Sequence, residues 1–373
     1  MLKKLLLFVA ISSVFYQCNN PSATAKKKSA ASIDSFFVLN DSFIAFNKTF
    51  VDSIDEYFGK NFNGTVLIAK GDHLFKKAYG TADGRKKPMP LDGLFQLASV
   101  SKTVTGVATL LLVQRNQIAL DSLLTVYLPD FPYPNVTVRQ LLSHRSGLAN
   151  YMYYTDTFWH DTSTCMTNQD FYDFMVKNKP TPYLDTNQSF SYCNTNFAFL
   201  AVLIEKVSGL AFPDFVRENI FKPCGMRNSF YYGCQPRAIQ KPVMFGRFEK
   251  FVYHERYYLD GILGDKGLYS SVEDLFMFHR GLLDGRLLNA ELLELMQQPT
   301  YDHNIFGGSY GLGFRLKNTP NGQWTYHNGW WRGFWTFFWN RFDKKICMVI
   351  LTNNRQSSHV DELKLVDWLY KTQ

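Results

Sequence analysis

The stretch of sequence that decides the fold is LASVSKTV, residues 97–104 of a chain of 373 residues. It places Ser99 three positions before Lys102, where apolar residues begin to recur at helical spacing. Side chains three positions apart share one face of a helix, so the Ser99 hydroxyl and the Lys102 amine are expected to lie within reach of each other. A desolvated lysine amine can accept a proton from serine, and the stretch therefore predicts a nucleophilic serine without a histidine partner.

The same pattern also fits a solvated helix start in which the serine is only a cap. Two further motifs favour the catalytic interpretation. The first is YCN, residues 192–194, which precedes the apolar run 198–204 and its predicted buried helix. In the functional interpretation Tyr192 carries a proton and Asn194 binds the substrate. The alternative is a polar turn that caps the following helix.

The second motif is HNG, residues 327–329, between the strand-like segments 323–326 and 334–339. The functional interpretation is an edge strand beside the serine, with His327 facing the site. Gly329 then allows the strand to approach closely. The alternative is a hairpin turn, because Asn-Gly is a strong turn signal.

The order and spacing of these three motifs resemble the serine beta-lactamase and penicillin-binding protein superfamily. The similar branch contains class C beta-lactamases, D-alanyl-D-alanine carboxypeptidases and related esterases. The likeness covers residues 55–355. It includes four further segments: FNGTVLI at 62–68, LLSHRSGL at 141–148, FKPCGM at 221–226 and GLYSSVEDL at 267–275.

The resemblance implies an α+β fold of the beta-lactamase/transpeptidase type. Its antiparallel sheet is built from both chain ends, with flanking helices and a mostly helical middle region. The residue pattern agrees with this architecture. It predicts helices over 50–58 and 359–370, and strands near 65–69, 74–79, 313–316, 324–327, 334–339 and 346–352.

The implied chemistry is acyl transfer by Ser99, with Lys102 and Tyr192 sharing the proton. The oxyanion is expected between the backbone N–H groups of Ser99 and Trp330. His327 stands where beta-lactamases commonly have a lysine. A histidine is mostly neutral at pH 7, so this departure fits a peptidase or esterase at least as well as an antibiotic hydrolase.

Aromatic residues are frequent near two of the motifs. Trp330, Trp331 and Trp335 follow HNG, and several tyrosines follow residue 150. An aromatic-lined site would favour apolar acyl or peptide substrates. The alternative is that some of these rings belong to the core, since aromatic residues are 16% of the chain.

The N-terminus indicates export. Residues 1–17 combine Lys3 and Lys4 with a short apolar run, which predicts a secretory signal peptide too short to span a bilayer. Cys18 follows as in a bacterial lipoprotein cleavage site, although Gln17 replaces the usual small residue. Residues 18–48 are then a flexible tether with a candidate lipid anchor at Cys18, and 49–373 form the hydrolase domain. Simple cleavage and an uncleaved anchor are the alternatives. The expected location is the bacterial cell envelope, either periplasmic or lipid-anchored to the membrane.

Charge and composition exclude several other partners. The formal net charge is +8, but five of the lysines precede residue 31, where no acid is present. The basic excess therefore lies mostly in the leader and tether, and no nucleic-acid partner is expected. The eight histidines are scattered without a His-Glu-x-x-His motif, so no metal or cofactor is expected. The expected partner is a small-molecule or peptide substrate.

The cysteines give no disulfide framework. Cys193, inside the YCN motif, is interpreted as a small filler between two functional residues. Cys347 lies in a predicted buried strand and is interpreted as an inert core thiol. The pattern leaves open whether Cys224 and Cys234 pair.

A competing nucleophile is Ser309, because residues 307–311 match Gly-x-Ser-x-Gly. That motif requires a helix after the serine, whereas residues 312–316 predict a strand, so Ser309 is not assigned. Two other function classes remain: a non-catalytic penicillin-binding-like receptor and a structural envelope lipoprotein. The intact set Ser99, Lys102 and Tyr192 favours the hydrolase. The sequence does not separate carboxypeptidase, esterase and beta-lactamase activity.

Overall fold

The computed structural model describes residues 43–159, 161–232, 243–249, 252–253, 257–301, 308–354 and 359–371. All of these residues belong to one compact unit. The predicted signal peptide, Cys18 and most of the predicted tether lie outside the described residues. Within the described ranges, no helix is long and apolar enough to cross a membrane.

The main sheet has seven strands in the order β2-β1-β12-β11-β10-β9-β8, with every neighbouring pair antiparallel. The strands are β1 (Gly64–Lys70), β2 (His73–Tyr79), β8 (Ser309–Tyr310), β9 (Arg315–Thr319), β10 (Gly322–Trp331), β11 (Phe334–Arg341) and β12 (Ile346–Thr352). Strands from the two chain ends, β1 and β12, are direct neighbours in the sheet. The predicted α+β fold, with a sheet built from both ends of the chain, is confirmed.

Shorter strands lie between these two groups: β3 (Phe95–Gln96), β4 (Phe230–Tyr231), β5 (Arg247–Glu249), β6 (Val252–Tyr253) and β7 (Leu268–Ser270). The helices are α1 (Lys48–Gly59), α2 (Ser101–Gln114), α3 (Val138–Leu142), α4 (Tyr151–Phe158), α5 (Asn168–Asn178), α6 (Asn194–Ser208), α7 (Phe212–Val216), α8 (Lys222–Cys224), α9 (Val272–Leu283), α10 (Ala290–Met296) and α11 (Glu362–Lys371). The region between β3 and β8 is thus mostly helical, as expected.

Both faces of the sheet are covered, and this explains the continuous apolar runs of its central strands. Successive strand side chains point to opposite faces. On one face, which we call the inner face, Val349 and Leu351 of β12 join the core of the helical region. On the outer face, Met348 and Ile350 pack with residues of α1 and α11, among them Phe50.

The HNG motif is part of a strand and not a hairpin turn. Asn328 pairs with Phe337, and Gly329 pairs with Thr336, so β10 continues through the motif. The turn comes at Arg332 and Gly333, where φ is +41° and +86°. The functional interpretation of the motif as a strand is therefore confirmed, and the turn alternative is wrong.

The structure answers whether Cys224 forms a disulfide. Cys193, Cys224 and Cys347 are free and buried. The pairing of Cys224 with Cys234 is therefore not formed. Cys165 is disulfide-bonded. Burial raises the pKa of the Cys347 thiol well above its ordinary value, in line with an inert core residue.

Candidate active site

Ser99 lies in a tight turn that leads directly into α2. Residues Ala98–Val100 form a single 3-10 turn, and the Ser99 side chain is half-buried. Leu97, the residue before this turn, is held by two hydrogen bonds. Its N–H donates to the Leu268 carbonyl at 2.7 Å, and its carbonyl accepts from the Thr336 hydroxyl at 2.7 Å. Ala98 has a φ of +50°, which non-glycine residues rarely adopt. Strained backbone of this kind is concentrated at functional sites.

Lys102 is wholly buried one helical turn further on. Its Nζ donates to Ser99 Oγ at 3.2 Å, to Asn194 Oδ1 at 2.7 Å and to the Asp265 carbonyl at 2.8 Å. The last two partners can only accept hydrogen bonds at these atoms. In the neutral amine, two N–H bonds therefore remain with Asn194 and Asp265, and the lone pair is directed toward the Ser99 hydroxyl. The geometry suits a base for that hydroxyl.

Tyr192 lies just before α6, with its ring beside two basic side chains. The ring centroid is 5.1 Å from Lys102 Nζ and 4.9 Å from Arg315 Cζ. The side chain is half-buried, and its hydroxyl makes no hydrogen bond to the part of the chain that the structure describes. The structure brings Ser99, Lys102, Tyr192 and Asn194 together, as the motifs predict.

His327 is wholly buried and neutral. Its Nδ1 donates to the Asn328 carbonyl at 2.7 Å, and its Nε2 accepts from the Tyr310 hydroxyl at 3.2 Å. Burial lowers the pKa of His327 well below its ordinary value, and the charges of Arg315 and Lys102 lower it further. Both ring nitrogens are occupied by protein partners. A direct contact between His327 and substrate stays a prediction.

Gly329 allows β10 to lie against the turn that contains Ser99. A Cβ at this position would be 2.4 Å from the Leu97 carbonyl oxygen and 3.0 Å from the Ser99 amide nitrogen. Strand β9 pairs with β10 only up to Tyr326, so the later residues of β10 leave an edge free of β9 beside Ser99. The Ser99 amide therefore lies beside Gly329, the residue before Trp330. An oxyanion hole formed by the N–H groups of Ser99 and Trp330 stays a prediction.

The tryptophans that follow the motif divide between the two faces of the sheet. Trp335 packs against the outer core, and the Trp330 ring lies 5.7 Å from it. Trp330 is 61% exposed on that outer face. Trp331 is on the inner face, where its Nε1 donates to Asp260 Oδ1 at 2.8 Å. The Trp330 and Trp335 indoles therefore lie away from the site's side of the sheet, and Trp331 is the residue on that side. For Trp335 the core alternative holds.

A second buried lysine adjoins the first, and the sequence interpretation missed it. Lys266 Nζ donates to the Tyr151 hydroxyl at 2.7 Å and lies 3.4 Å from Asp265 Oδ1. The Tyr151 hydroxyl in turn donates to Asp265 Oδ2 at 3.0 Å. Burial lowers the pKa of Lys266, and Asp265 opposes that shift. Asp265 thus binds Lys266 through its carboxylate and Lys102 through its carbonyl. The available signal was an Asp-Lys pair between Gly264 and Gly267 in an apolar segment.

Arg315 of β9 is the other residue that the motifs did not indicate. It is half-buried, with Cζ 4.9 Å from the Tyr192 ring and 6.0 Å from the Tyr310 ring. It forms no ion pair with a carboxylate within the described ranges. A half-buried guanidinium that has no acidic partner among the described residues, beside the Tyr192 ring, has the chemistry to bind an anionic group.

Two smaller observations complete the site. Cys193 is buried as a free thiol, and burial raises its pKa, which agrees with its interpretation as a filler. Among the residues that the structure describes, no cluster of three or more histidine, cysteine or acidic side chains could hold a metal ion.

The fold and the Ser99–Lys102–Tyr192 cluster define a serine hydrolase whose candidate base is a lysine. Residues 59–369 match the family Beta-lactamase, and the chain belongs to that family. It is 32% identical to penicillin-binding protein 4* of Bacillus subtilis over 319 residues, which cover 81% of this chain and 70% of that protein. It is 25% identical to a D-aminopeptidase of Cereibacter sphaeroides, covering 79% of this chain but only 57% of the relative.

Solved structures show the same fold. A penicillin binding protein from Bacillus halodurans superposes with a TM-score of 0.73 at 24% identity, covering 86% of this chain and 99% of that one. A D-amino acid amidase from Ochrobactrum anthropi SV3 superposes with a TM-score of 0.74 at 22% identity, covering 87% and 98%. These similarities confirm the architecture.

Proposed function

We propose that the protein hydrolyses amide bonds of small D-amino-acid peptides through an acyl-enzyme on Ser99. The observation that carries the proposal is the placement of Lys102 Nζ, 3.2 Å from Ser99 Oγ and fixed by two acceptor-only partners. The printed names of two relatives, a D-aminopeptidase and a D-amino acid amidase, support a D-amino-acid substrate. Beta-lactams and carboxylic esters are alternative substrates for the same chemistry.

The proposed reaction has two halves. Ser99 Oγ attacks the carbonyl carbon as its proton passes to Lys102, and the oxyanion is held by the N–H groups of Ser99 and Trp330. Tyr192 then passes a proton to the leaving amine, whose bond to the carbonyl carbon breaks. Water attacks the resulting ester and gives a proton to the Tyr192 oxygen, the bond between Ser99 Oγ and the carbonyl carbon breaks, and Lys102 returns its proton to Ser99, so that all three residues recover their starting states. His327, being neutral, supports this site by fixing Tyr310 and does not supply a cation.

We further propose that the hydrolase is located in the cell envelope. Residues 1–17 direct its export, and a lipidated Cys18 attaches the protein to the membrane. The leader pattern described above supports export. The disulfide at Cys165 is consistent with it, because such bonds persist mainly in oxidising compartments.

The nucleophile is tested by covalent labelling. The full-length protein is incubated with a fluorescent penicillin, a fluorophosphonate and a p-nitrophenyl ester, and any adduct is located by peptide mass spectrometry. We expect the adduct on Ser99 and its complete loss in Ser99→Ala. Ser309→Ala is the matched control and should label normally. Labelling that survives in Ser99→Ala and disappears in Ser309→Ala would contradict the assignment of Ser99 as the nucleophile. A Ser99 adduct without turnover of any substrate would favour the receptor alternative.

Arg315 suggests that the substrate carries a carboxylate. Arg315→Gln is therefore expected to lower the preference for an N-acyl-D-alanyl-D-alanine over the same peptide with an amidated C-terminus. We expect this ratio of kcat/KM values to fall about 10- to 100-fold, the magnitude of a hydrogen bond to a charged group. A catalytic effect through Tyr192 would lower both rates and leave the ratio unchanged, which would contradict carboxylate recognition. Lys317→Gln, which removes a charge two positions along β9, is the control.

A further inference from the structure

His144 belongs to the LLSHRSGL segment, to which the mechanism above gives no role. It follows α3, its side chain is wholly buried, and its φ is +56°. A histidine with positive φ is uncommon, and such a conformation persists only when the surroundings enforce it. The contacts of this residue show what enforces it.

Two hydrogen bonds to His144 come from the residues on either side of Tyr192. The His144 carbonyl accepts from the Ser191 N–H at 2.8 Å, and its Nδ1 accepts from the Cys193 N–H at 3.1 Å. The N–H groups of the residues before and after Tyr192 are thus bound to one residue. The imidazole also lies against the tyrosine ring, with centroids 4.3 Å apart and planes inclined by 39°. His144 therefore contacts both the backbone next to Tyr192 and the Tyr192 ring.

The neighbouring polar residues set the tautomer of His144. The Asn196 amide donates through Nδ2 to His144 Nδ1 at 3.2 Å, and the Ser146 hydroxyl donates to Asn196 Oδ1 at 2.6 Å. The second bond orients the amide so that its NH2 faces the imidazole. Nδ1 therefore stays an acceptor and the proton is on Nε2. Burial and the charges of Lys102 and Arg315 hold the pKa of His144 well below its ordinary value, so the acceptor persists at neutral pH.

We infer that His144 is a positioning residue that fixes Tyr192 for proton transfer, by binding the N–H groups of Ser191 and Cys193 on either side of it and packing against its ring. This inference rests on the proposed role of Tyr192. In this inference the LLSHRSGL segment connects α3 to the YCN motif through the contacts of His144. His144 itself does not touch the reacting atoms.

A double-mutant cycle separates this role from general core packing. His144→Phe keeps a ring but removes the acceptor. His144→Asn keeps an acceptor near Nδ1 and tolerates positive φ, but loses the ring. In the wild-type background we expect His144→Phe to lower kcat about 10- to 100-fold with KM nearly unchanged, and His144→Asn to recover part of that loss. In a Tyr192→Phe background, His144→Phe should cost little more, because the group that it positions is gone.

The matched control is His279 of α9, also buried, with Nδ1 bonded to Asn340 and its ring stacked on Phe342. His279→Phe should change the unfolding temperature but not kcat. The inference is overturned if the effects of His144→Phe and Tyr192→Phe on kcat multiply, or if His144→Asn recovers nothing. Should His144→Phe fail to fold, the same cycle is run with His144→Asn. A Tyr192→Phe variant of wild-type activity would instead refute the proposed role of Tyr192, so the two failures are distinguishable.

Discussion

Lys102→Met is expected to slow acylation of Ser99 by about 10²- to 10⁴-fold, the contribution of a positioned general base. Methionine nearly preserves the volume of the buried side chain and removes only the amine. Lys102 is the hydrogen-bond partner of the Ser99 hydroxyl among the residues that the structure describes, and the substitution removes it. Tyr192 does not replace the amine, because its hydroxyl is not bonded to Ser99 in the described structure. The rate of fluorophosphonate labelling of Ser99 measures the acylation step directly.

The expected effect on stability is small by comparison. The substitution leaves Asn194 Oδ1 and the Asp265 carbonyl without their donor, at about 1–3 kcal/mol for each buried group. It also removes an amine from the protein interior, which offsets part of that cost. Lys76→Met is the control, since Lys76 pairs with Glu273 and takes no part in the site. Labelling of Lys102→Met at the wild-type rate, in a protein of wild-type Tm, would show that another group is the base.

The nucleophile and its base could be predicted because their geometry is local. A spacing of three along α2 suffices to bring Lys102 to Ser99, whatever the rest of the chain does. The sheet could be predicted because β1 and β12 are short apolar runs without competing signals. The resemblance to a family supplied their pairing, which no local pattern contains.

The HNG motif shows where local signals compete. Asn-Gly and Arg-Gly both stand between strand-like segments, and either can form a tight turn. The structure places the turn at Arg332 and Gly333, because Asn328 is engaged on the outer face by Trp339 Nε1 and by Glu362. Those partners come from β11 and α11. The sequence near the motif therefore could not rank the two turns.

The outward position of the Trp330 side chain can be predicted from the sequence. Strand side chains alternate, so an inward His327 implies an inward Trp331 and an outward Trp330. Gly329, the residue before Trp330, lies beside the Ser99 amide, whereas the Trp330 indole lies with Trp335 on the outer face. Arg315 had no comparable signal. It is the first residue of β9, and its contact with Tyr192, a residue far away in the sequence, is a property of the assembled fold.

Lys266→Met is expected to lower the free energy of unfolding by about 3–5 kcal/mol, the cost of breaking a buried ion pair by removing one partner. Lys266 is 3% exposed and Asp265 is 1% exposed, so water does not replace the lost amine. The Asp265 carboxylate would keep only the Tyr151 hydroxyl among the contacts that the structure shows. Urea denaturation measures the change. Arg286→Gln, at an exposed ion pair with Asp284, is the control and should cost about 0–1 kcal/mol.

The double variant Asp265→Asn with Lys266→Met gives the sharper test, because it removes both charges. We expect it to be more stable than Lys266→Met alone, since no uncompensated carboxylate remains buried. Strictly additive losses would show that the pair does not act as a unit. The two buried lysines thus have separable tasks although they share Asp265. Lys102 takes the Asp265 carbonyl and has Ser99 as its third partner, so its loss is expected in the rate. Lys266 takes the carboxylate and has no partner that reacts, so its loss is expected in the stability of the segment that holds Lys102 in place.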